Sequence, residues 1–244
     1  MRFLIDFSYS GSNFHGYQKQ PGKRTVQEEI ENVLTRINAS NKVTITAAGR
    51  TDAKVNALHQ MAHFDLNKEI SPYKLKGALN SYLPSDIFIN EVTKVDDNFH
   101  ARYMVKEKTY QYKINTGIYN PLLRTHVFQY CKALNIAEMR KALEYFKGTH
   151  DFTTFTSSED KREDKVRTIN DVSLNFDYND TIIITFKGKG FLKYQIRNMV
   201  GTLIKVGEGK VDSNIIPILL EKKDRRSAFL CAPAEGLTLT DINY

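Results

Sequence analysis

Two stretches far apart in the chain repeat one order of residue types. Ile5-Asp6-Phe7, Gly11, Phe14 and Tyr17-Gln18 precede an apolar helical pattern at Val26, Ile30, Val33, Leu34 and Ile37. Ile184-Thr185-Phe186, Gly188, Phe191 and Tyr194-Gln195 precede another at Ile196, Met199, Val200 and Leu203. Each copy reads as strand, turn, aromatic and helix, and the period is far longer than the roughly 20 to 50 residues of a solenoid repeat. The duplication predicts an α+β fold of two similar halves, each a mainly antiparallel sheet with helices on one face, with a ligand cleft at their junction. The halves are placed at residues 1–104 and 105–244, the boundary lying ahead of the loop marked by Gly117, Asn120 and Pro121.

Local patterns fill in the elements. Phe3, Ile5, Phe7 and Tyr9 alternate as a half-buried strand does, and Ser10-Gly11-Ser12-Asn13 reads as a turn. Thr25 and Glu28 have capping-box spacing ahead of the first helix. Ser71-Pro72 opens a second helix with Leu75, Ala78, Leu79 and Tyr82 inward, and Asn135 opens a third with Met139, Ala142, Leu143 and Phe146 inward, stopped by Gly148. Strands are expected at 43–47, 58–64, 88–95, 109–115, 182–186 and 237–241.

Charge narrows the partner. The 244 residues carry 35 Lys plus Arg against 28 Asp plus Glu, a net charge of +7, which favours a polyanion. Tyrosines and phenylalanines near basic residues, as in Arg102-Tyr103 and Lys108-Thr109-Tyr110-Gln111-Tyr112-Lys113, suit phosphate contact with base stacking, although strand alternation alone also places aromatics in a core. No apolar run approaches the roughly 18 to 20 residues that span a bilayer, and Asp6 interrupts any secretory segment, so a cytoplasmic protein without a membrane partner is expected. Cys131 and Cys231 lack a CxxC neighbour and are expected as buried free thiols.

The densest chemical signal is Ala48-Gly49-Arg50-Thr51-Asp52-Ala53-Lys54, in which Arg50 and Lys54 flank a carboxylate among small residues. Those charges hold Asp52 ionised, and the small neighbours let a ligand reach the backbone; a plain turn aspartate has the same spacing. His59 and His63 have HxxxH spacing without the glutamate of a zinc hydrolase, which favours ordinary histidines over a metal site. His150-Asp151 reads as a turn. GxGxxG, Walker A and GxSxG patterns are absent, which removes nucleotide-dependent and serine-hydrolase chemistry from the front rank.

Several ordered motifs resemble the TruA-type tRNA pseudouridine synthases over nearly the whole chain. They are Phe14-His15-Gly16-Tyr17-Gln18, Gly49-Arg50-Thr51-Asp52-Ala53, Phe99-His100-Ala101-Arg102, Thr109-Tyr110-Gln111-Tyr112, Gly148-Thr149-His150-Asp151-Phe152, Ile196-Arg197-Asn198-Met199-Val200-Gly201, and Ala232-Pro233 with Gly236-Leu237. The resemblance implies that the two halves form a pseudouridine synthase fold with an RNA cleft, and that the chain isomerises uridine in the anticodon arm of tRNA by base flipping, without cofactor or metal. It implies Asp52 as catalytic aspartate, either nucleophile or electrostatic stabiliser, and Tyr110 as the ring that stacks on the flipped uracil and assists proton transfer. Arg197 is implied as the ion-pair partner of Asp52, Arg50 as an RNA contact and Leu237 as a pocket wall. A homodimer is implied as well.

The chain departs from the family pattern in places. Ala53-Lys54-Val55-Asn56-Ala57 stands where Ala-Gly-Val-His-Ala is usual, and Tyr17 stands where tryptophan is usual. These departures bear on substrate choice, so a paralogue acting on another RNA, such as ribosomal RNA, and a non-catalytic RNA binder of the same fold stay as alternatives.

Overall fold

Phe3, Ile5, Phe7 and Tyr9 are buried along strand β1 (Arg2–Tyr9), and the side chains between them are half-exposed, as the alternation requires. The computed structural model of the chain describes residues 1–177 and 180–244. After β1 come α1 (Val26–Ile37), β2 (Thr46–Ala47), β3 (Asn56–Asp65), α2 (Pro72–Tyr82) and β4 (Ile87–Val95). Then follow β5 (Glu107–Asn115), β6 (Phe128–Gln129), α3 (Ile136–Glu144), β7 (Gly148–Asp151), β8 (Val166–Asp177), β9 (Thr181–Gly188), α4 (Gln195–Gly207), α5 (Ile215–Lys222) and β10 (Leu237–Asn243). The α+β class is the one expected.

Contacts divide the chain into one unit of Met1–Lys106 with Thr238–Tyr244 and another of Glu107–Leu237. In the first, β1 runs antiparallel between β4 and β3, pairing Phe3 with Phe64 and Ile5 with Val92. The other edge of β3 carries β2 at residues 62–63 and, in parallel, β10 at Asn56 and Ala57. The C-terminal seven residues, expected with the second half, therefore pack in the first unit. Ile30 and Leu34 of α1 and Leu75 and Leu79 of α2 are fully buried.

In the second unit β9 lies antiparallel between β5 and β8, and β7 extends β8. All residues of α4 except Arg197 and Lys205 are buried, so this helix forms the interior of its unit. The two copies of the repeat thus end as β1 leading to α1 and β9 leading to α4, each strand with a neighbour on both sides. Gly11 and Gly188 also match in function: a Cβ at either would lie 2.2 Å from the Val55 carbonyl oxygen or 2.7 Å from that of Thr168. Both positions need glycine for close backbone approach.

Several expectations change. Thr25 does start α1, but its hydroxyl caps nothing: it is buried with no hydrogen-bond partner among the described residues, and Glu28 turns to Lys19 at 3.2 Å. Tyr82 is 50% exposed instead of inward, with the Arg36 guanidinium 4.2 Å above its ring. Helix α3 ends at Glu144, while Gly148, at φ +106°, opens β7, which also takes in His150 and Asp151. Only Thr46–Ala47 of the strand expected at 43–47 pairs, and Cys131 and Cys231 are free thiols that are partly exposed.

His59 and His63 have separate structural roles. His59 Nδ1 lies 2.8 Å from an Asp6 carboxylate oxygen on the exposed side. His63 is buried, and its Nδ1 accepts the Ala101 N–H at 3.1 Å, a bond that only the neutral ring at that nitrogen can accept.

Two measurements check these contacts. Replacing Thr25 with valine removes an unsatisfied hydroxyl and keeps the extended cap residue, so the denaturation midpoint is expected to hold or rise, against the loss of about 1 kcal/mol that a working cap would show. Burial, then the nearby Arg2 and His100, lower the His63 pKa, so unfolding takes up a proton there. Its stabilisation is complete above the unfolded-state value near 6.5 and is lost as pH falls through the lower folded-state value. Urea denaturation between pH 7.5 and 5 is expected to show this loss in the parent chain and a smaller one in His63→Asn, which keeps the acceptor but cannot titrate.

Candidate active site

The Asp52 turn is held by backbone. Val55 N–H donates to Asp52 O at 3.2 Å, closing a four-residue turn from Asp52 to Val55. Lys54, third in that turn, has φ +65°, the conformation for which a type II turn favours glycine. The segment that follows β1 clamps the turn: Tyr17 N–H donates to Thr51 O at 3.1 Å and Lys54 N–H to Phe14 O at 3.3 Å. Gly16, at φ +96°, passes so close that a Cβ would sit 3.1 Å from Thr51 O and 3.3 Å from Ala53 N.

Side chains lock both ends of the turn. Tyr9 OH shares a 2.8 Å hydrogen bond with Thr51 Oγ1, and burial raises the Tyr9 phenol to about 12, so it stays protonated at physiological pH. Asn56, where the family usually has histidine, is buried and its Oδ1 accepts the Gly11 N–H at 2.8 Å. Gln60 Nε2 donates to Gly49 O at 3.2 Å. Arg24, bidentate to Asp86 at 2.7 and 2.9 Å and 4.2 Å above the Phe14 ring, anchors the clamping segment, and its bonds hold the Asp86 carboxyl below its ordinary pKa. On this frame Asp52 is half-buried, while Arg50 and Lys54 are exposed and make no ion pair among the described residues. The turn therefore presents one carboxylate between two cations that are available to a polyanion.

The second unit holds the other expected residues. Tyr110 lies on β5 opposite Phe186 of β9, is 7% exposed, and meets Phe191 edge to face with ring centroids 5.3 Å apart. Arg197 is the third residue of α4, at the end where the helix dipole disfavours a cation. It is kept there by two bonds to one residue: its Nε donates to Ala232 O at 2.8 Å, and its own carbonyl accepts the Ala232 N–H at 3.0 Å. Gly201 permits this, since a Cβ there would lie 1.9 Å from Leu230 O. The Arg197 guanidinium also lies 5.1 Å from the Tyr194 ring centroid. Tyr112, one strand repeat beyond Tyr110, ties β5 to the same segment by donating its hydroxyl to Pro233 O at 2.7 Å. Leu237 is buried where that segment enters β10.

Among the described residues, two that are not glycine occupy the left-handed region close in sequence to Asp52 and Arg197. Lys54 comes two residues after Asp52, and Tyr194, at φ +63°, three before Arg197. Backbone strain of this kind concentrates at functional sites. Of the residues that build the turn, the sequence marks Gly16 by its place in the first motif and Asn56 as a departure from the family pattern, whereas Tyr9 reads only as a strand position.

Comparison with known proteins assigns the chain. The family model for tRNA pseudouridine synthase matches residues 7–104 and 142–244. The chain belongs to the tRNA pseudouridine synthase family. It is therefore kin to isomerases. It is 44% identical over 244 residues to tRNA pseudouridine synthase A 1 of Bacillus cereus, covering 100% of this chain and 98% of that one. It is 44% identical over 245 residues to tRNA pseudouridine synthase A of Streptococcus pneumoniae, with the same coverage. Among solved structures it is similar to a Cbf5-Nop10-Gar1 complex at 10% identity and a TM-score of 0.38, covering 98% of this chain and 58% of that one, a likeness that adds nothing to the family assignment.

Because Lys54 holds a left-handed backbone with an L side chain, Lys54→Gly is expected to stabilise the fold by about 0.5 to 1 kcal/mol, the relief of the Cβ clash less the extra freedom of glycine when unfolded. Lys54→Ala retains the clash and is expected to leave the denaturation midpoint where it is. A glycine variant no more stable than the alanine variant would show that the turn carries no strain.

Proposed function

We propose that this synthase converts uridine to pseudouridine in the anticodon arm of tRNA, without metal or cofactor. Asp52 acts at ribose C1′ as the nucleophile, so that the bond from C1′ to uracil N1 breaks and the base is released inside the pocket. The base turns, C5 attacks C1′ and frees the carboxylate, C5 loses its proton and N1 gains one. Atoms and electrons balance, so no co-reactant is consumed. Tyr110 stacks on the flipped uracil and assists removal of the C5 proton. Arg197, its guanidinium oriented by the bond to Ala232 O, is the cation that the family resemblance gives to Asp52 as ion-pair partner. Arg50 contacts the RNA beside the displaced nucleotide, and Leu237 walls the pocket.

The observation that carries this reading is the Asp52 turn: a carboxylate on a backbone-locked turn between Arg50 and Lys54, in a chain with full-length kinship to tRNA pseudouridine synthases. The charge of +7 supports an RNA partner held mainly by phosphate contacts. We further read the working form as a cytoplasmic homodimer, on the strength of the family resemblance. Among the described residues no helix is long and apolar enough to cross a membrane.

Release of tritium from tRNA carrying C5-labelled uridine tests the assignment. Asp52→Asn is expected to cut the rate by roughly 10³-fold or more while filter binding still retains tRNA. An asparagine variant that turns over like its parent would leave the chain an RNA binder or move the chemistry to another residue.

A further inference from the structure

Phe99-His100-Ala101-Arg102 is a motif that the proposed chemistry does not use. In the first unit it builds a row of three rings. His63 is buried, His100 meets it with ring centroids 4.8 Å apart, and Tyr103 lies on His100 at 4.1 Å, nearly parallel at 28°. Tyr103 is nevertheless 73% exposed.

A lone exposed tyrosine needs no explanation. This one is fixed from beneath. His100 Nδ1 accepts the N–H groups of Arg102 at 3.2 Å and Tyr103 at 3.4 Å, and its carbonyl accepts that of Met104 at 3.1 Å. Ala101 is buried, its N–H bound to His63 and its carbonyl accepting the Tyr244 hydroxyl at 2.8 Å. One face of the Tyr103 ring is stacked on the protein, and most of the ring is open to solvent. Beside it Arg102 is exposed, with no ion pair or side-chain hydrogen bond among the described residues. A pre-ordered open ring next to an unpaired guanidinium matches the two elements by which single-stranded or looped RNA is held, base stacking and phosphate contact.

The ring row stands at the other end of β3 from the Asp52 turn. His63 lies seven residues along β3 from Asn56, which adjoins the Asp52 turn, a separation of about 23 Å at roughly 3.3 Å per strand residue. We propose that Tyr103 is a stacking platform for an unpaired base of the RNA substrate other than the uridine that reacts, with Arg102 taking an adjacent phosphate. The proposal rests on the reading of this chain as an enzyme that acts on tRNA.

The chain contains no tryptophan, so Tyr103→Trp places a single indole reporter on the platform. Unmodified tRNA is expected to quench its emission saturably, at concentrations matching the dissociation constant from filter binding. Tyr73→Trp, equally a single reporter and on an exposed part of α2, is expected to change little. Tyr103→Ala is expected to weaken tRNA binding by about 5- to 100-fold while Tyr103→Phe restores it. Arg102→Gln is expected to weaken binding and to lower the salt dependence of log Kd by roughly 0.7 to 0.9, one phosphate contact. An unresponsive indole at 103 with tRNA bound would overturn the platform, and so would parental affinity in Tyr103→Ala. Thermal melts of the variants separate lost stacking from lost folding. Failure of the parent chain to form pseudouridine in tRNA would instead overturn the reading beneath the proposal.

Discussion

The approach of two backbone segments is the constraint on which the proposed chemistry depends. Residues 11–17 run against residues 51–56, joined by the Tyr17, Lys54 and Gly11 amide bonds, at a distance that leaves no room for a Cβ at Gly11 and little at Gly16. A turn held mainly by backbone bonds keeps its place when surface side chains fluctuate, so the backbone that carries Asp52 is set before substrate arrives. Such pre-organisation is what lets a charged group act on a developing charge without first reorganising. Strand β3 leaves the turn at Asn56, where β10 pairs with it, and the far end of the same strand supports the ring row that ends at Tyr103. One strand thus connects the carboxylate to a second candidate RNA contact.

Arg197 is held by the same kind of device. A cation in the first turn of a helix is unfavourable, and here a reciprocal pair of bonds to Ala232, made possible by the missing Cβ of Gly201, keeps it in place. The left-handed Tyr194 ahead of it parallels Lys54 after Asp52. In both units a left-handed residue that is not glycine lies close in sequence to a charged side chain that the proposed mechanism uses.

Much of this was legible in the sequence, and the exceptions have physical causes. Strand β1, helices α1 to α3 and the strand-to-helix passage of β9 into α4 follow from alternation, apolar stripes and turn residues. Strand β8 escaped because a bulge between Ile169 and Asp171 shifts its inward positions to Val172 and Leu174 and breaks the period of two. Thr25 and Glu28 have capping spacing, but Lys19 draws the glutamate away. The place of β10 depends on pairing with β3, a long-range contact that no local pattern encodes. At the candidate site, Asp52 stood out by its charged neighbours, whereas the role of Asn56 is set by a hydrogen bond to Gly11, 45 residues earlier.

The central claim is that this chain uses its backbone-locked Asp52 turn to make pseudouridine in tRNA. Mapping pseudouridine at single-nucleotide resolution, after the purified protein is incubated with unmodified tRNA and ribosomal RNA transcripts in the presence of a metal chelator, tests it most directly. The account predicts pseudouridine in the anticodon arm of the tRNA. Pseudouridine in neither RNA, or in the ribosomal transcript alone, would contradict it.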